Sequence, residues 1–399
     1  MEKLIELSKQ KVQNTEMNFT RYALEKIDWS QRLTGITGAR GVGKTTLMLQ
    51  FLKSHFANSD HAIYVSLDEL FFSSNKLVNF ADRFVKNGGR HLFVDEAHKY
   101  PGWSTEIKNI YDRYEKLKIV FSGSSALEIF KGKADLSRRA LHFHLHGMSL
   151  REYIELTYHI KTPVFSLQEI ISNPDNSCKS IIEKVETPLK YFNEFLKYGI
   201  YPFYIEDKAN YHKRLMGIVN HIIETDMPAL YGIDYTSVIA IKKLLYIISG
   251  IVPFKPNISE LSRKMGVSRE TVVKYLHFLD NADITKSLLS STGGISMLNK
   301  PEKVYLNNPN LFYTLAEVNT PNVGTLREAF FMYQFSQAHK ITYSQQSDFL
   351  VDGKYTFETG GRSKKTTQIK NLKNAWVVRD DIEYGHKNII PLWLFGFLY

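Results

Sequence analysis

The chain has 399 residues, one cysteine and a formal net charge of +10, from 51 Lys and Arg against 41 Asp and Glu. With 43% hydrophobic and 13% aromatic residues it can fill two or three cores, so a multidomain globular protein is expected. The lone thiol, Cys178, excludes an internal disulfide and a cysteine-built zinc site. No apolar run approaches the roughly 20 residues of a membrane span, and the charged start Met1 to Leu7 has no signal-peptide core. A cytoplasmic protein with no membrane partner is therefore expected, and its positive balance permits contact with nucleic acid or another polyanion.

Residues 1–30 read as one or two helices ending at Ile27-Asp28-Trp29, with Trp29 expected either at the mouth of a nucleotide site or simply in the core. The run Thr34 to Thr46 then joins a strand, a glycine-rich turn and a helix start. Gly38, Gly43, Lys44 and Thr45 satisfy G-x-x-x-x-G-K-[ST], the P-loop pattern, and Gly41 frees a third position. Glycines let successive backbone N–H groups curl round a phosphate, and the helix that follows adds its positive N-terminal dipole. The expected ATP-binding set is Gly38, Ala39, Arg40, Gly41, Val42, Gly43, Lys44, Thr45 and Thr46. Within it Lys44 is expected to reach the β- and γ-phosphates, Arg40 to add a phosphate contact and the Thr45 hydroxyl to ligate Mg²⁺.

His61 to Leu67 reads as a buried strand, with Asp68 and Glu69 at its C-terminal end. The next strand, His91-Leu92-Phe93-Val94, runs directly into Asp95 and Glu96, the Walker B pattern about 50 residues after the P-loop. Asp95 is expected to hold Mg²⁺ through water and Glu96 to polarise the attacking water. Lys116 to Phe121 forms a strand ending in small hydroxyl residues, placed between the two Walker strands. Ser122 is the candidate polar sensor at its tip, with Ser124 second and a plain strand-ending turn as the alternative. Arg138 and Arg139 precede a fifth strand, Leu141 to Leu145. One of them, Arg139 in the catalytic set, is expected either to approach the γ-phosphate, from this chain or a neighbouring copy, or to be solvated charge. His142, His144 and His146 alternate along that strand and read as half-exposed strand residues rather than a metal trio.

From Ser149 to about Lys243 the periodicity turns helical, with Leu150, Tyr153, Ile154 and Thr157 on one face and Phe192, Phe195, Leu196 and Gly199 on another. Ser172 to Ser177 reads as an exposed loop and Tyr198 to Phe203 as a turn between helices. Ile258 to Leu276 contains a short helix, a glycine turn and a Ser-capped second helix, a helix-turn-helix. Ile284 to Ser290 and Lys303 to Leu306 follow as strands with Thr292-Gly293-Gly294 as a wing tip. In the second helix Val272, Leu276 and Leu279 define the buried face and Glu270, Lys274 and His277 point outward, with Glu270 and Lys274 spaced to pair. The last part opens a helix at Gly324 to Phe331, places strands around Asp348 and Glu358, and carries six basic residues and no acid between Thr359 and Arg379. Arg362, Lys364, Lys365, Lys370, Lys373 and Arg379 read as a solvated face or as a phosphate-backbone track.

Taken together, Gly-Ala-Arg-Gly-Val-Gly-Lys-Thr-Thr, Phe-Val-Asp-Glu-Ala-His, Phe-Ser-Gly-Ser-Ser, Leu-Ser-Arg-Arg and Ser-Leu-Arg-Glu-Tyr resemble the prokaryotic AAA-type ATPases with a C-terminal domain of unknown function. Tyr198 to Pro202, Glu224 to Pro228 and Gly324 to Glu328 extend the resemblance along nearly the whole chain. The resemblance implies an ATPase core, a winged helix and a C-terminal sheet similar to restriction-endonuclease-like nucleases, with Glu328, Asp348 and Glu358 at its acidic positions. Where that pattern wants E-x-K, this chain has Glu358-Thr359-Gly360, which puts cleavage in doubt.

The expected architecture is α/β: an N-terminal helical segment 1–30, a P-loop AAA-type ATPase domain 31–148 with a parallel sheet, and a helical lid or connector 149–245. A winged helix-turn-helix 246–310 and a small nuclease-like α/β domain 311–399 complete it. The expected function is a Mg²⁺-dependent ATPase acting as a switch or motor on DNA or a DNA-bound partner, with homo-oligomerisation possible. ATP is preferred to GTP because no N-K-x-D signature follows the P-loop. The alternatives are a signalling switch that never touches DNA and an ATP-powered nuclease.

Overall fold

The computed structural model describes residues 2–57, 59–123, 136, 138–250, 255–290, 300–315 and 322–399, and divides into two compact units, Met1–Gly147 and Met148–Tyr399. Ser124, Ser137 and the wing tip Thr292-Gly293-Gly294 lie outside the described residues.

Five short strands build the sheet of the first unit: β1 (Leu33–Thr37), β2 (Ala62–Ser66), β3 (His91–Asp95), β4 (Lys118–Ser122) and β5 (Leu141–His144). Their order is β2-β3-β4-β1-β5 and every pairing is parallel. Parallel strands must be covered on both faces, which is why Leu33 to Thr37 is buried at every position and why β2, β3 and β4 are almost wholly apolar. The crossovers are α3 (Lys44–Phe56), α4 (Phe71–Ser74), α5 (Leu77–Lys86) and α6 (Trp103–Arg113), after α1 (Glu2–Asn14) and the single turn α2 (Ala23–Lys26). On one face Ile63, Val65, Leu92, Val94, Ile119 and Phe121 pack with Phe80, Phe84, Ile107 and Ile110. Against α3, Trp29 stacks on Phe51 with ring centroids 4.0 Å apart and donates its Nε1–H to the Leu24 carbonyl. Trp29 is thus a core residue.

The second unit begins as a run of helices, Leu150–Tyr158, Leu167–Ser172, Pro174–Val185, Pro188–Tyr198 and Tyr211–His221. The exposed loop expected over Ser172 to Ser177 is corrected here. Asn173 accepts the Asn176 N–H as an N-cap and Pro174 occupies the first helical position, so all but the first two residues of that stretch start a helix. Proline's missing N–H and fixed φ suit that position, and the pattern Asn-Pro reads as helix start as well as turn. The helix from Tyr211 continues to Tyr231 through one wide turn at Ile222–Asp226, directly before Pro228. A proline there removes an N–H and crowds the carbonyl one turn back, which a widened turn relieves.

Tyr235–Gly250 leads to the helices Ile258–Met265 and Arg269–Asn281, joined through Gly266 at φ 68° and capped by Ser268. An antiparallel pair follows, β6 (Thr285–Leu288) and β7 (Lys303–Leu306). Val272, Leu276 and Leu279 are buried; Glu270 and Lys274 are exposed, and the Lys274 ammonium lies 5.5 Å from the Phe278 ring centroid.

The last sheet has the order β12-β11-β10-β9-β8, from β8 (Ile341–Tyr343), β9 (Phe349–Val351), β10 (Tyr355–Gly360), β11 (Ala375–Arg379) and β12 (Ile389–Pro391). The first three form an antiparallel meander, while β10, β11 and β12 are mutually parallel. The buried helix Val323–Phe335 packs against it through Phe331, whose ring lies 4.9 Å from Phe349 and 5.2 Å from Phe357. Among the described residues no helix is long and apolar enough to cross a membrane.

Candidate functional site

All strands of the first sheet run in one direction, so the ends of β1, β3 and β4 bring the P-loop, Asp95 with Glu96, and Ser122 to the same edge. This is the edge at which open α/β sheets gather ligands. The loop is shaped by a residue that only glycine can be. Gly38 has φ 144°, and a Cβ there would lie 2.1 Å from the Leu145 carbonyl oxygen. Gly41 and Gly43 also take positive φ, and α3 starts at Lys44. The buried Lys44 ammonium donates to the Gly38 and Ala39 carbonyls at 2.8 and 2.9 Å, closing the loop on itself. Val42 is buried, Thr45 half-buried and Thr46 exposed, while Arg40 has one guanidinium nitrogen, Nη1, buried with no hydrogen-bond partner among the described residues.

Asp95 is 2% exposed and collects donors on both oxygens. Thr45 Oγ1 and the Tyr64 hydroxyl each donate to Oδ2 at 2.7 Å. Ser122 Oγ donates to Oδ1, which also accepts the Glu96 N–H at 3.1 Å. A hydroxyl has one proton and two lone pairs, so a Thr45 that gives its proton to Asp95 still presents lone pairs outward. This is a hard-oxygen donor set of the kind Mg²⁺ takes, with one or two protein groups and the rest from phosphate and water.

Glu96 follows in the left-handed region, φ 52°, which turns its side chain away from the strand line. Its Oε2 lies 3.5 Å from His98 Nε2 and 3.7 Å from the Lys99 ammonium, and Lys99 also pairs with Asp68 at 2.9 Å. Burial pushes the Glu96 carboxyl above its ordinary range and Asp95 adds to this, while Lys44, Lys99 and Arg40 oppose it. Burial, then Lys44, Lys99 and Arg40, push His98 down to about 4, so its ring is neutral at pH 7.

The structure therefore brings together the P-loop residues, Thr45, Asp95, Glu96 and Ser122. It does not bring Arg139 to them. Arg139 donates through Nε and Nη2 to the two oxygens of Asp112, at 2.9 and 3.1 Å, before the start of β5. That end of the sheet is removed from the P-loop by a strand length, roughly 15 Å at 3.3 Å per residue. His144 and His146 pack ring to ring at 4.4 Å, and no group of three or more His, Cys, Asp or Glu among the described residues is arranged to hold a metal ion.

Two residues of the site had no sequence signal. Tyr64 reads as one more apolar member of a buried strand, and Arg21 as surface charge in a helical segment. Yet Arg21 is 4% exposed and donates to the Val42 carbonyl at 2.6 Å and to the His146 and Gly147 carbonyls at 2.9 and 3.1 Å. It ties the P-loop to the chain leaving β5. Only the absence of an acidic residue within helical pairing distance of Arg21, other than Glu25, hints that its charge is satisfied elsewhere.

In the second unit Glu328, Asp348 and Glu358 also converge, but onto lysines. The Lys303 ammonium lies 3.2 Å from Glu328 and 3.8 Å from Asp348, and the Tyr305 hydroxyl donates to Glu328 at 2.6 Å. Asp348 accepts from the Thr359 N–H and hydroxyl, at 2.9 and 2.8 Å. The expected distance of Lys364 from this group is corrected. β10 ends at Gly360 and the chain turns, so the Lys364 side chain folds over Gly360 and its ammonium reaches Glu358 at 2.5 Å. A Cβ on Gly360 would meet Lys364 side-chain carbons at 2.6–2.7 Å, so the missing side chain makes the room that the distant lysine fills. Arg379 fixes the turn by donating to the Lys364 carbonyl at 2.9 Å. Burial pushes the Glu358 carboxyl up, against the pull of Lys364.

Residues 30–154 match the family model described as an AAA domain, and residues 189–322 match one described as a domain of unknown function, DUF8612. The chain is 25% identical to the uncharacterized protein MJ1637 of Methanocaldococcus jannaschii, over 83% of this chain and 76% of that protein. It is 26% identical to the uncharacterized protein MJ1544 of the same organism, over 62% of this chain, and spans about half (54%) of that relative's length. Among solved structures it is similar to the Walker-type ATPase PABY2304 of Pyrococcus abyssi, with a TM-score of 0.40 at 12% identity, covering 78% of this chain and 95% of that one.

Proposed function

We propose that this chain, whose first unit is an α/β P-loop NTPase core with a five-stranded parallel sheet, is a Mg²⁺-dependent ATPase that works as a switch or motor on DNA or a DNA-bound partner. The observation that carries the catalytic part is the Thr45–Asp95–Ser122 hydrogen-bonded group at the P-loop edge of the sheet, with Glu96 beside it. In this reading the loop N–H groups and Lys44 bind the phosphates, and Arg40 turns its unpartnered guanidinium nitrogen to them. Thr45 and Asp95 are the residues that would hold Mg²⁺, which when bound supplies charge neutralisation for the developing phosphate charge. Glu96 orients and deprotonates the attacking water, its Oε2 having no hydrogen-bond partner among the described residues. Ser122 senses the γ-phosphate through the proton it gives Asp95. Arg139, held by Asp112, serves a nucleotide only from a neighbouring copy.

The DNA part rests on the helix-turn-helix with its β6–β7 hairpin, read as a winged helix, and on Arg362, Lys365, Lys370 and Lys373, which are exposed on the segment after β10. The C-terminal sheet is read as nuclease-like without cleavage, because Lys303 stands between Glu328 and Asp348 where a divalent cation would have to bind. The test is the ATPase rate with and without duplex DNA. Stimulation supports the DNA-linked reading, and an unchanged rate at low salt favours the signalling switch.

A further inference from the structure

Each donor that fixes Asp95, except one, has a second task at the phosphates. Thr45 faces the metal position, Ser122 faces the γ-phosphate, and the Glu96 N–H belongs to the residue that handles water. The exception is Tyr64, on β2, whose hydroxyl proton goes to Asp95 Oδ2 at 2.7 Å and whose side chain is buried at 4% exposure. A carboxylate turns easily about its last torsion, so its plane is set by the hydrogen bonds it accepts. We propose that Tyr64 is a positioning residue that holds the Asp95 carboxylate in the plane required for Mg²⁺, and that helix α1 sets the place of Tyr64. The assignment rests on the reading of this edge as a Mg-nucleotide site.

Helix α1 is joined to Tyr64 in two ways. β2 is the edge strand of the sheet, and the Tyr64 N–H donates to Ser8 Oγ of α1 at 2.9 Å. The Lys11 ammonium of α1 lies 5.1 Å from the Tyr64 ring centroid and 3.8 Å from Glu69, which follows β2. Backbone and ring of Tyr64 are therefore both referred to α1. A displacement of that helix, for example by a partner that grips it, reaches Asp95 through one phenol.

The experiment compares wild type, Tyr64→Phe and Ser8→Ala in two measurements: ATP hydrolysis as a function of Mg²⁺ at saturating ATP, and ATP affinity in EDTA. Tyr64→Phe keeps the ring and both α1 contacts and removes only the donor. Its Mg²⁺ requirement rises on the order of 10-fold, the scale of lost partners behind a metal ligand. Its affinity for ATP in EDTA stays that of wild type. Ser8→Ala, which touches no residue of the phosphate site, shifts the Mg²⁺ requirement in the same direction by less. An unchanged Mg²⁺ requirement in Tyr64→Phe, or an equal loss of affinity in EDTA, overturns the assignment while leaving the site reading intact. A wild type with no Mg²⁺-dependent turnover overturns both.

Discussion

Lys44 and Glu96 divide binding from chemistry at single atoms. The Lys44 ammonium already rests on two loop carbonyls, so it is pre-placed where phosphate oxygens arrive, and Lys44→Ala removes a charge-assisted contact. Nucleotide titration of that variant is expected to show a sharp loss of affinity; wild-type affinity in it contradicts the P-loop assignment. Glu96→Gln keeps shape and polarity but cannot take a proton, so ATP still binds while turnover falls by about 10²–10⁴-fold. Normal turnover in Glu96→Gln moves the base elsewhere. These residues were legible because phosphate chemistry demands fixed types at fixed spacing. Tyr64 and Arg21 were not, because their roles depend on strands and loops that sequence distance does not reveal: 31 residues separate Tyr64 from Asp95 and 125 separate Arg21 from His146.

Among elements, β4 shows how placement makes a site. It follows β3 in sequence but lies between β3 and β1 in the sheet, and only this order sets Ser122 beside Asp95. The helix Arg269–Asn281 and its hairpin carry a different kind of strain. Asp280 accepts the Ser287 N–H at 2.7 Å, and burial pushes its carboxyl up to about 6, with Asp283 adding to this and Lys286 opposing it. Its folded pKa exceeds the unfolded value of about 3.9. The folded state therefore binds the proton more tightly, and stability is lost as pH rises from about 4 to about 6. Asp280→Asn keeps an acceptor for Ser287 and carries no charge. Its melting temperature relative to wild type is expected to climb across that window and level off above it. A difference independent of pH would mean that Asp280 is solvated.

For the whole molecule, the net charge of +10 and the exposed basic segment after β10 predict DNA binding that weakens steeply with salt and is unaccompanied by cutting. Incubation with supercoiled and linear DNA, with Mg²⁺ or Mn²⁺ and with and without ATP, checks this. Cleavage that disappears in Asp348→Ala would reverse the inactive reading. Asp348 and Glu358 were legible as acids near strand ends, but their cations were not. Lys303 comes from β7, and Lys364 arrives because the chain turns at Gly360, where an even strand spacing alone had put it far away. The sequence by itself determined the P-loop core, its strand-ending carboxylates and the helical and strand periods, since these follow from local sterics and short-range chemistry. The tertiary structure decided which charges are neutralised and by whom: Arg139 by Asp112, Asp348 by Lys303, Glu358 by Lys364 and Asp95 by a tyrosine on a neighbouring strand. Those pairings depend on strand order and chain reversal, which are settled by burying surface between segments far apart in the chain.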